Sequence, residues 1–314
     1  MAGLTMEQYD CVIVGGGIAG LQAAIQLGRF RRKTLVIDAG DGRSVLCRKY
    51  NNLLGYPDGV SGQELREKGR LQAEKTGVVF VQARAERAER LAEGFQLWME
   101  SGQAVQAKRL LLSTGVVDRM PQLPGLLPCL GRSIYVCPDC DGYEVNGKRT
   151  IVLGAGDVGA EMALTIAYWT PRTLTYINHE QTEVSKQLLE RLQANKIEYF
   201  AAPVSRLTEK NSELSEVVML SGTVYEVEKG FIAFGGNQVR SELGRQLGAS
   251  LHENNHILAD ARTKMTNVLH LWAAGDVVAH SEQVSIAMGD GSQAAIWMHR
   301  SLSGVPVPVP ERAI

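Results

Sequence analysis

The segment Cys11-Val12-Ile13-Val14-Gly15-Gly16-Gly17-Ile18-Ala19-Gly20 places a short apolar run directly before closely spaced glycines. The apolar run predicts a buried parallel strand, and the apolar residues that follow Gly20 recur at helical spacing. In such a turn Gly15 allows the sharp reversal, Gly17 lets a pyrophosphate approach the backbone, and Gly20 lets helix and strand pack closely. The helix N-terminus would hold the pyrophosphate. The segment therefore predicts a dinucleotide-binding unit.

A second strand completes this unit. The apolar stretch Thr34-Leu35-Val36-Ile37 ends at Asp38, whose carboxylate can accept hydrogen bonds from ribose hydroxyls. A glycine fingerprint alone is a weak signal. The order of strand, glycine turn, helix, strand and acid makes it specific, and this order disfavours the alternative of a merely structural turn.

The same arrangement recurs about 140 residues further along the chain. The apolar run Thr150-Ile151-Val152-Leu153 opens into Gly154-Ala155-Gly156-Asp157-Val158-Gly159, and a helical pattern and another apolar strand follow. The duplication predicts an α/β fold with two Rossmann-like, three-layer ββα dinucleotide-binding domains. It also predicts two ADP-containing ligands.

A pair of cysteines lies between the two glycine turns, in Cys137-Pro138-Asp139-Cys140-Asp141-Gly142. Such a pair is either a redox disulfide or half of a metal site, and a zinc site usually needs a second pair, which the sequence lacks. Pro138 suits the first position of a helix, so Cys137 would lie near an N-cap that favours its thiolate. Two merely packed thiols would not account for the acid Asp141. We therefore predict a redox disulfide and no metal site.

Composition excludes several functional classes. A length of 314 residues suggests two domains, and a net charge of -1 gives no reason to expect nucleic acid as a partner. No apolar stretch is long enough to predict a membrane span. Met1–Asp10 lacks the pattern of a secretory signal, and five irregularly spaced cysteines do not form a secreted disulfide framework. We therefore expect a cytoplasmic protein.

Together these motifs resemble the low-molecular-weight thioredoxin reductases, which are flavoprotein disulfide reductases, over nearly the whole chain. The matching motifs are Gly15-x-Gly17-x-x-Gly20, Thr114-Gly115, Cys137-x-x-Cys140-Asp141, Gly154-x-Gly156-x-x-Gly159, and Ala274-Gly275-Asp276 followed by Gln283. The resemblance implies an FAD domain split into residues 1–117 and 243–314. It also implies an inserted nicotinamide-type domain, residues 118–242, that carries the cysteines. Proteins of this kind are usually homodimers.

The resemblance also implies roles for individual residues. Cys140 would face the flavin C4a atom, Cys137 would exchange with an external thiol protein or small thiol, and Asp141 would shuttle the proton. Asp276 would bind the ribityl chain, with Gln283 and Val284 at the flavin ring. The expected FAD-binding residues are Gly15, Gly17, Ile18, Ala19, Gly20, Asp38, Asn51, Thr114, Gly115, Gly275, Asp276, Gln283 and Val284. The expected second dinucleotide site comprises Gly154, Gly156, Asp157 and Gly159.

One segment departs from the NADPH-using members of this family. Those members carry arginines for the 2′-phosphate just after the second strand of the inserted domain, where this chain reads Ile177-Asn178-His179-Glu180-Gln181. Arg172 lies on the other side of that strand. Glu180 would repel a phosphate, and His179 is mostly neutral at pH 7. The segment Phe234-Gly235-Gly236-Asn237-Gln238 also departs from the family's Gly-x-x-Pro-Asn pattern. These departures argue against NADPH as the electron donor.

The second glycine turn is nonetheless intact, so it should accept an ADP group that lacks a 2′-phosphate. NADH and a second FAD are the candidates, and an empty site with purely structural glycines is the alternative. The chain resembles the diflavin-linked disulfide oxidoreductases, which are NADPH-independent relatives. Without a nicotinamide the direction of electron flow stays open, because it depends on the potentials of the couples.

We therefore favour an FAD-dependent thiol/disulfide oxidoreductase that does not use NADPH. An NAD(P)H-dependent thioredoxin reductase is the second enzymatic hypothesis, and a flavin-bearing redox sensor is the alternative of another class. Two further residues have open roles. Cys47 is either a bystander or a redox participant near the flavin. His280 either assists proton transfer or, as the favoured interpretation, is a solvent-facing loop histidine.

Overall fold

The computed structural model describes residues 7–170 and 173–309. Arg172 and the first six residues, which entered the predictions on NADPH and on a signal sequence, lie outside the described residues. The described strands are β1 Glu7–Val14, β2 Thr34–Asp38, β3 Val79–Gln82, β4 Ala85–Arg90, β5 Phe95–Met99, β6 Ala104–Leu112, β7 Val116–Val117, β8 Ile134–Tyr135, β9 Thr150–Gly154, β10 Leu174–Asn178, β11 Glu198–Phe200, β12 Val204–Lys210, β13 Glu213–Met219, β14 Val224–Glu226, β15 Lys229–Ala233, β16 Gln238–Val239 and β17 Leu271–Ala273. The described helices are α1 Ile18–Arg29, α2 Arg43–Leu46, α3 Gly62–Glu74, α4 Leu126–Cys129, α5 Pro138–Asp141, α6 Gly156–Ile166, α7 Lys186–Ala194, α8 Glu242–Gln246 and α9 Val284–Leu302, with a 3-10 helix over Gly142–Val145.

The first compact unit draws its residues from Met1–Val45, Gly62–Val117 and Gln238–Ile314. Its main sheet has the strand order β3-β2-β1-β6-β5-β4, and β17 pairs with the second half of β6. The pairs between β1, β2, β3, β6 and β17 are parallel, whereas β4, β5 and β6 form an antiparallel meander. The parallel sheet that contains the first glycine turn is thus extended by an antiparallel meander.

The alternation of side chains along β1 creates a core on each side of the parallel sheet. Val12 and Val14 pack into a core that includes Phe95 of the meander. Cys11 and Ile13 face the opposite way and pack into the core that contains α1 and α9. A run that is apolar at every position is therefore what a strand covered on both faces requires.

The second compact unit comprises Leu46–Ser61 and Asp118–Asn237. Its parallel sheet has the strand order β11-β10-β9-β15-β8, and β12, β13 and β14 form a separate antiparallel sheet. The segment 46–61 lies in this unit, although the sequence prediction assigned it to the FAD domain.

This unit repeats the three-layer arrangement. Val152 and Tyr176 pack against α6 and α7 on one face of the parallel sheet. Ile151, Leu153 and Ile177 pack on the other face against the antiparallel sheet. The predicted α/β fold with two Rossmann-like units is therefore confirmed.

The crossing of α1 and α9 in the first unit depends on the glycine at position 291. A Cβ atom at Gly291 would lie 2.1 Å from the carbonyl oxygen of Ala19, whereas a Cβ atom at Gly289 on the same helix would meet no atom within 4 Å. We expect Gly291→Ala to lower the free energy of unfolding by about 1–3 kcal/mol, because the helices must separate. Gly289→Ala is the matched control, and it should raise that free energy by up to about 1 kcal/mol through helix propensity. Urea midpoints measure both, and equal shifts of the same sign would contradict this account of the crossing.

Candidate active site

Cys137 and Cys140 form a disulfide at the start of α5, with their Cα atoms 5.3 Å apart. Cys137 is the N-cap residue, Pro138 occupies the first turn, and the N–H of Cys140 donates a hydrogen bond to Sγ of Cys137 at 3.2 Å. Both cysteines are partly accessible to solvent. A donor directed at Sγ favours the thiolate once the disulfide is reduced. The arrangement can therefore perform thiol–disulfide exchange.

Asp141 is the last residue of the same short helix, and its carboxyl group can exchange protons near neutral pH. Burial raises the pKa of Asp141 to about 7, and the negative charge of Glu144 adds to the shift. A carboxyl with this pKa is present in both protonation states near neutral pH, so it can take up and release a proton. The residue expected to shuttle protons thus has a suitable environment.

Cys47 lies in the same unit and is close enough to Asp141 to feel its charge. Burial raises the pKa of the Cys47 thiol to about 11, the backbone N–H of Lys49 opposes the shift, and Asp141 adds to it. Cys47 is therefore a neutral thiol at pH 7 and a poor nucleophile. This favours the bystander interpretation.

The first glycine turn has the backbone that its sequence predicted. Gly15 has a φ of +104°, and a Cβ atom there would lie 2.2 Å from the carbonyl oxygen of Ser113. Gly17 is the N-cap of α1, Ile18 is its first residue, and Gly20 lies in its first turn. A Cβ atom at Gly17 would meet no atom within 4 Å, so the backbone at this helix N-terminus is open to a ligand.

Asp38, at the end of β2, lies beside this turn. Its Oδ1 accepts hydrogen bonds from the N–H groups of Gly16 at 3.1 Å and Gly40 at 3.3 Å, and Arg66 on α3 donates to its Oδ2 at 2.7 Å. A cavity of about 320 Å³ adjoins these groups, and its lining includes Gly16, Asp38, Gly40, Arg66, Arg70 and Phe80. The predicted ribose acceptor thus lies in a cavity, and sequence reasoning missed its partner Arg66.

The Gly275–Asp276 turn lies against the N-terminal part of α1. Gly275 has a φ of +75°, and a Cβ atom there would lie 2.8 Å from the Cβ atom of Ala19. Oδ2 of Asp276 is 3.1 Å from the guanidinium of Arg43, which also pairs with Glu282. The structure therefore brings the first glycine turn and the Gly275 turn together, and Arg43 is a partner of Asp276 that the sequence did not reveal.

Four more residues expected at the FAD lie in this unit. The hydroxyl of Thr114 donates to the carbonyl of Arg240, and the N–H of Arg240 donates to the carbonyl of Gly115 at 3.0 Å. Gln283 is the N-cap of α9, and Val284 is its first residue and is buried. The N-terminus of α9 therefore presents backbone N–H groups that have no partner within the helix, and such groups favour negative charge.

Asn51 belongs to the second unit, together with the rest of segment 46–61. Its side-chain oxygen would be 2.9 Å from a Cβ atom at Gly59. Its role at the FAD stays a prediction.

His280 is not the solvent-facing loop histidine that the favoured interpretation expected. Its Nε2 lies 2.6 Å from Oδ2 of Asp290, a buried residue of α9. The hydrogen bond to Asp290 raises the pKa of His280, and burial opposes that shift. Sequence reasoning missed Asp290 because it is one polar residue within a helix otherwise rich in apolar and small residues.

The second glycine turn is held by its own strands and helix. Gly154 ends β9, Gly156 begins α6 with a φ of +52°, and Gly159 packs against the ring of Tyr176. The hydroxyl of Tyr176 donates to the carbonyl of Gly156 at 2.7 Å. The turn is thus fixed by a buried side chain of the neighbouring strand.

Two further contacts shape this second site. The N–H of Gly156 donates to Oδ1 of Asn178 at 3.2 Å, where an acid stands in the first unit. Asp157 accepts a hydrogen bond from the N–H of Ser185 at 2.7 Å. Asn178, at the end of β10, accepts the same backbone hydrogen bond that Asp38 accepts in the first unit, but its amide carries no negative charge.

The residues after β10 have a defined charge state. Nδ1 of His179 accepts a hydrogen bond from the N–H of Val204 at 2.9 Å, and burial lowers the pKa of His179, so the ring is neutral at pH 7. Glu180 pairs with Arg119, whose guanidinium also donates to the carbonyl of Phe234 at 3.1 Å. Arg119 is a cation of this site that sequence reasoning missed, since 61 residues separate it from Glu180.

A family model described as pyridine nucleotide-disulphide oxidoreductase matches residues 9–291 of the chain. The chain belongs to this family. The chain is therefore a flavoprotein disulfide oxidoreductase with a thioredoxin reductase-like fold.

Within the pyridine nucleotide-disulphide oxidoreductases, several thioredoxin reductases are similar to this chain. Thioredoxin reductase from Mycolicibacterium smegmatis is 28% identical, over 94% of this chain and 97% of that protein. NADPH-dependent thioredoxin reductase 3 from Arabidopsis thaliana is also 28% identical over 94% of this chain, which spans 58% of that relative's length. The crystal structure of thioredoxin reductase from Streptococcus pyogenes matches with a TM-score of 0.84 and 24% identity, over 96% of this chain and 100% of that one.

The family uses FAD, and the first unit fits that cofactor. The open backbone at Gly17, the carboxylate of Asp38 in a cavity, and the N-terminus of α9 match the pyrophosphate, ribose and flavin of such a ligand. Among residues 7–170 and 173–309, no helix is both long and apolar enough to cross a membrane.

Proposed function

We propose that this protein exchanges electrons between FAD and the Cys137–Cys140 disulfide, with a thiol/disulfide protein as its partner and without NADPH. The observation that carries the NADPH-independent part is the charge state after β10. A 2′-phosphate carries up to about two negative charges and needs strong cationic donors. His179 is neutral, and Glu180 already neutralises Arg119.

The exchange step uses groups of the second unit. An external thiolate attacks Sγ of Cys137, the S–S bond breaks, and Cys140 leaves as a thiolate. Asp141 supplies a proton to the released sulfur or takes one from the incoming thiol. A second external thiolate then attacks the mixed disulfide and releases Cys137, so two external thiols become one disulfide. A bound FAD would supply the acceptor for the electron pair, and every exchange step is reversible.

An exposed aromatic surface beside the disulfide supports a protein partner. The side chains of Tyr143 and Tyr168 are 75% and 83% exposed, and Tyr168 packs edge-on against Trp169 with ring centroids 5.1 Å apart. Trp169 in turn contacts Gly142, the residue after Asp141. Exposed aromatic side chains are typical of surfaces that bind proteins.

We further propose that the second glycine turn binds an ADP group without a 2′-phosphate, in the form of a second FAD. Glu180 would accept hydrogen bonds from the ribose hydroxyls of that group, with Arg119 holding its carboxylate in place. NADH remains the other ligand of this chemistry. The FAD domain of residues 1–117 and 243–314, the inserted domain of 118–242, the homodimer and the cytoplasmic location remain part of the proposal.

An NADPH-dependent thioredoxin reductase is the second candidate, and the names of the relatives favour it. The similar protein from Arabidopsis is named as NADPH-dependent, and other relatives are named thioredoxin reductase. An NADPH-dependent enzyme needs a cation that binds the 2′-phosphate. His179 is neutral, and Arg119 is already paired with Glu180.

We expect the purified protein to release about two FAD per chain on denaturation, one for each intact glycine turn. We also expect its flavin to stay oxidised when it is mixed with NADPH, because the second turn lacks a cation for the 2′-phosphate. Flavin absorbance after denaturation and stopped-flow mixing measure the two outcomes. A thioredoxin reductase of known NADPH dependence is the control. Rapid bleaching by NADPH would favour the second candidate, and about one FAD per chain would remove the second FAD.

A further inference from the structure

A buried carboxylate lies behind the Gly275 turn in the first unit. Asp290 on α9 is only 4% exposed. Its Oδ2 accepts hydrogen bonds from the N–H of Gly275 at 3.1 Å and from His280 at 2.6 Å, and its Oδ1 lies 2.8 Å from the ammonium of Lys264. One side chain therefore joins the turn, the loop after it and the segment before β17.

The contacts of His280 determine its protonation state. Nε2 faces the carboxylate of Asp290, and Nδ1 lies 2.9 Å from the backbone carbonyl of Ser281. Both partners only accept hydrogen bonds, so both ring nitrogens must carry protons. His280 is therefore an imidazolium cation in this arrangement.

The cluster contains charges of both signs. Asp290 carries one negative charge, His280 and Lys264 carry one positive charge each, and the carboxylate of Asp260 also interacts with Lys264. Burial opposes ionisation of Asp290, but the hydrogen bonds from His280, Lys264 and Gly275 outweigh it and lower the pKa of Asp290. The charged groups that act on His280 are Asp290, which raises its pKa, and Lys264, which lowers it. The imidazolium is the member of the cluster that titrates near neutral pH.

We propose that His280 is a pH-dependent positioning residue that, as a cation, locks the Gly275–Asp276 turn to α9 through Asp290 and so retains FAD. The turn also packs against Ala19 at the start of α1, so its position determines the shape of the surface at the first glycine turn. Loss of the proton removes the charged hydrogen bond from His280 to Asp290, so the turn is then held to α9 less firmly.

The sign of the pH dependence follows from the linkage between protonation of His280 and the stability of the folded contact with Asp290. A histidine whose pKa is raised in the folded state stabilises that state fully below its ordinary value of about 6.5, and the stabilisation is lost as the pH rises through the raised value. Because the cationic ring is what holds the turn to α9, FAD should dissociate about tenfold faster at pH 9 than at pH 6, the effect of one charged hydrogen bond. Fluorescence of FAD released on dilution of the holoprotein measures the rate.

Three variants separate this role from a general effect of pH. His280→Gln keeps one donor without a charge, so FAD release should be fast and independent of pH. Lys264→Met should move the inflection to higher pH, because Lys264 lowers the pKa of His280. His252→Gln, at an exposed loop histidine, is the matched control and should behave like the parent protein.

A titration of the histidine ring nitrogens by NMR tests the proposal in the parent protein, with a readout other than FAD release. We expect the His280 resonance, assigned by its loss in His280→Gln, to titrate above pH 6.5. A titration below that value, or equal FAD release at pH 6 and pH 9 in the parent protein, would overturn the proposal. Absence of FAD from the purified protein would instead contradict its assignment as a flavoprotein, and the NMR titration would still report on His280.

Discussion

Cys137→Ser is expected to abolish thiol–disulfide exchange while FAD stays bound. A serine hydroxyl cannot form the mixed disulfide with an external thiol. A mixed disulfide formed at Cys140 would also lack the Cys137 thiolate that could break it. The proposed flavin-binding residues other than Asn51 are in the first unit, and Cys137 is in the second. The measurements are the rate of oxidation of a dithiol protein by the oxidised enzyme and the visible flavin spectrum of the same sample.

Cys11→Ala is the matched control for this change. Cys11 is buried in β1 and far from ionisation, because burial raises the pKa of its thiol well above the ordinary range. The control variant should retain exchange. Retained exchange in Cys137→Ser would contradict the assigned role. If the parent protein and Cys137→Ser both bind the partner and neither performs exchange, the redox-sensor hypothesis is favoured.

Asp141→Asn is expected to slow thiol exchange by about 10²–10⁴, the typical contribution of a positioned proton donor or acceptor. Asparagine has the shape of the acid but cannot transfer a proton. The parent protein should show an inflection of the rate near pH 7, where burial and Glu144 place the pKa of Asp141, and the variant should not. The pH dependence of the single-turnover rate with a dithiol measures both expectations.

The same substitution should stabilise the protein at alkaline pH. Because the pKa of Asp141 is raised to about 7 from an ordinary value of 3.8, the folded state holds a proton that the unfolded state releases between these values. Stability therefore falls as the pH rises through this window, and Asn removes that loss. Asp139→Asn, at an exposed neighbour, is the control and should change neither the rate nor the stability. A slower rate without loss of the inflection would assign the proton transfer to another group.

The strands and glycine turns of both units were predictable because their causes are local. A strand covered on both faces needs consecutive apolar residues, and a turn that packs as closely as Gly15 on Ser113 needs glycine. The strand β4 was not predictable in this way. Its sequence, Ala85–Arg90, is mostly charged and exposed, and only pairing with β5 makes it a strand.

The partners of the functional groups could not be predicted, because each joins residues that are distant in sequence. Asp276 meets Arg43 across 233 positions, and Arg119 meets Glu180 across 61. His179 is an example of a correct expectation that gained its cause from the structure. Burial lowers the pKa of His179, and its Nδ1 accepts a hydrogen bond from the N–H of Val204, a contact that no pattern in the chain indicates.

The sequence by itself determined the α/β fold, the cysteine pair and the two glycine turns, since each depends on residue types at short, fixed spacing. The tertiary structure alone decided the charge state of the groups around them. It placed Asp141 in a partly buried position, set His280 beside the carboxylate of Asp290, and paired Glu180 with Arg119. Charge states depend on burial and on partners brought together by folding, and neither is encoded in the spacing of a motif.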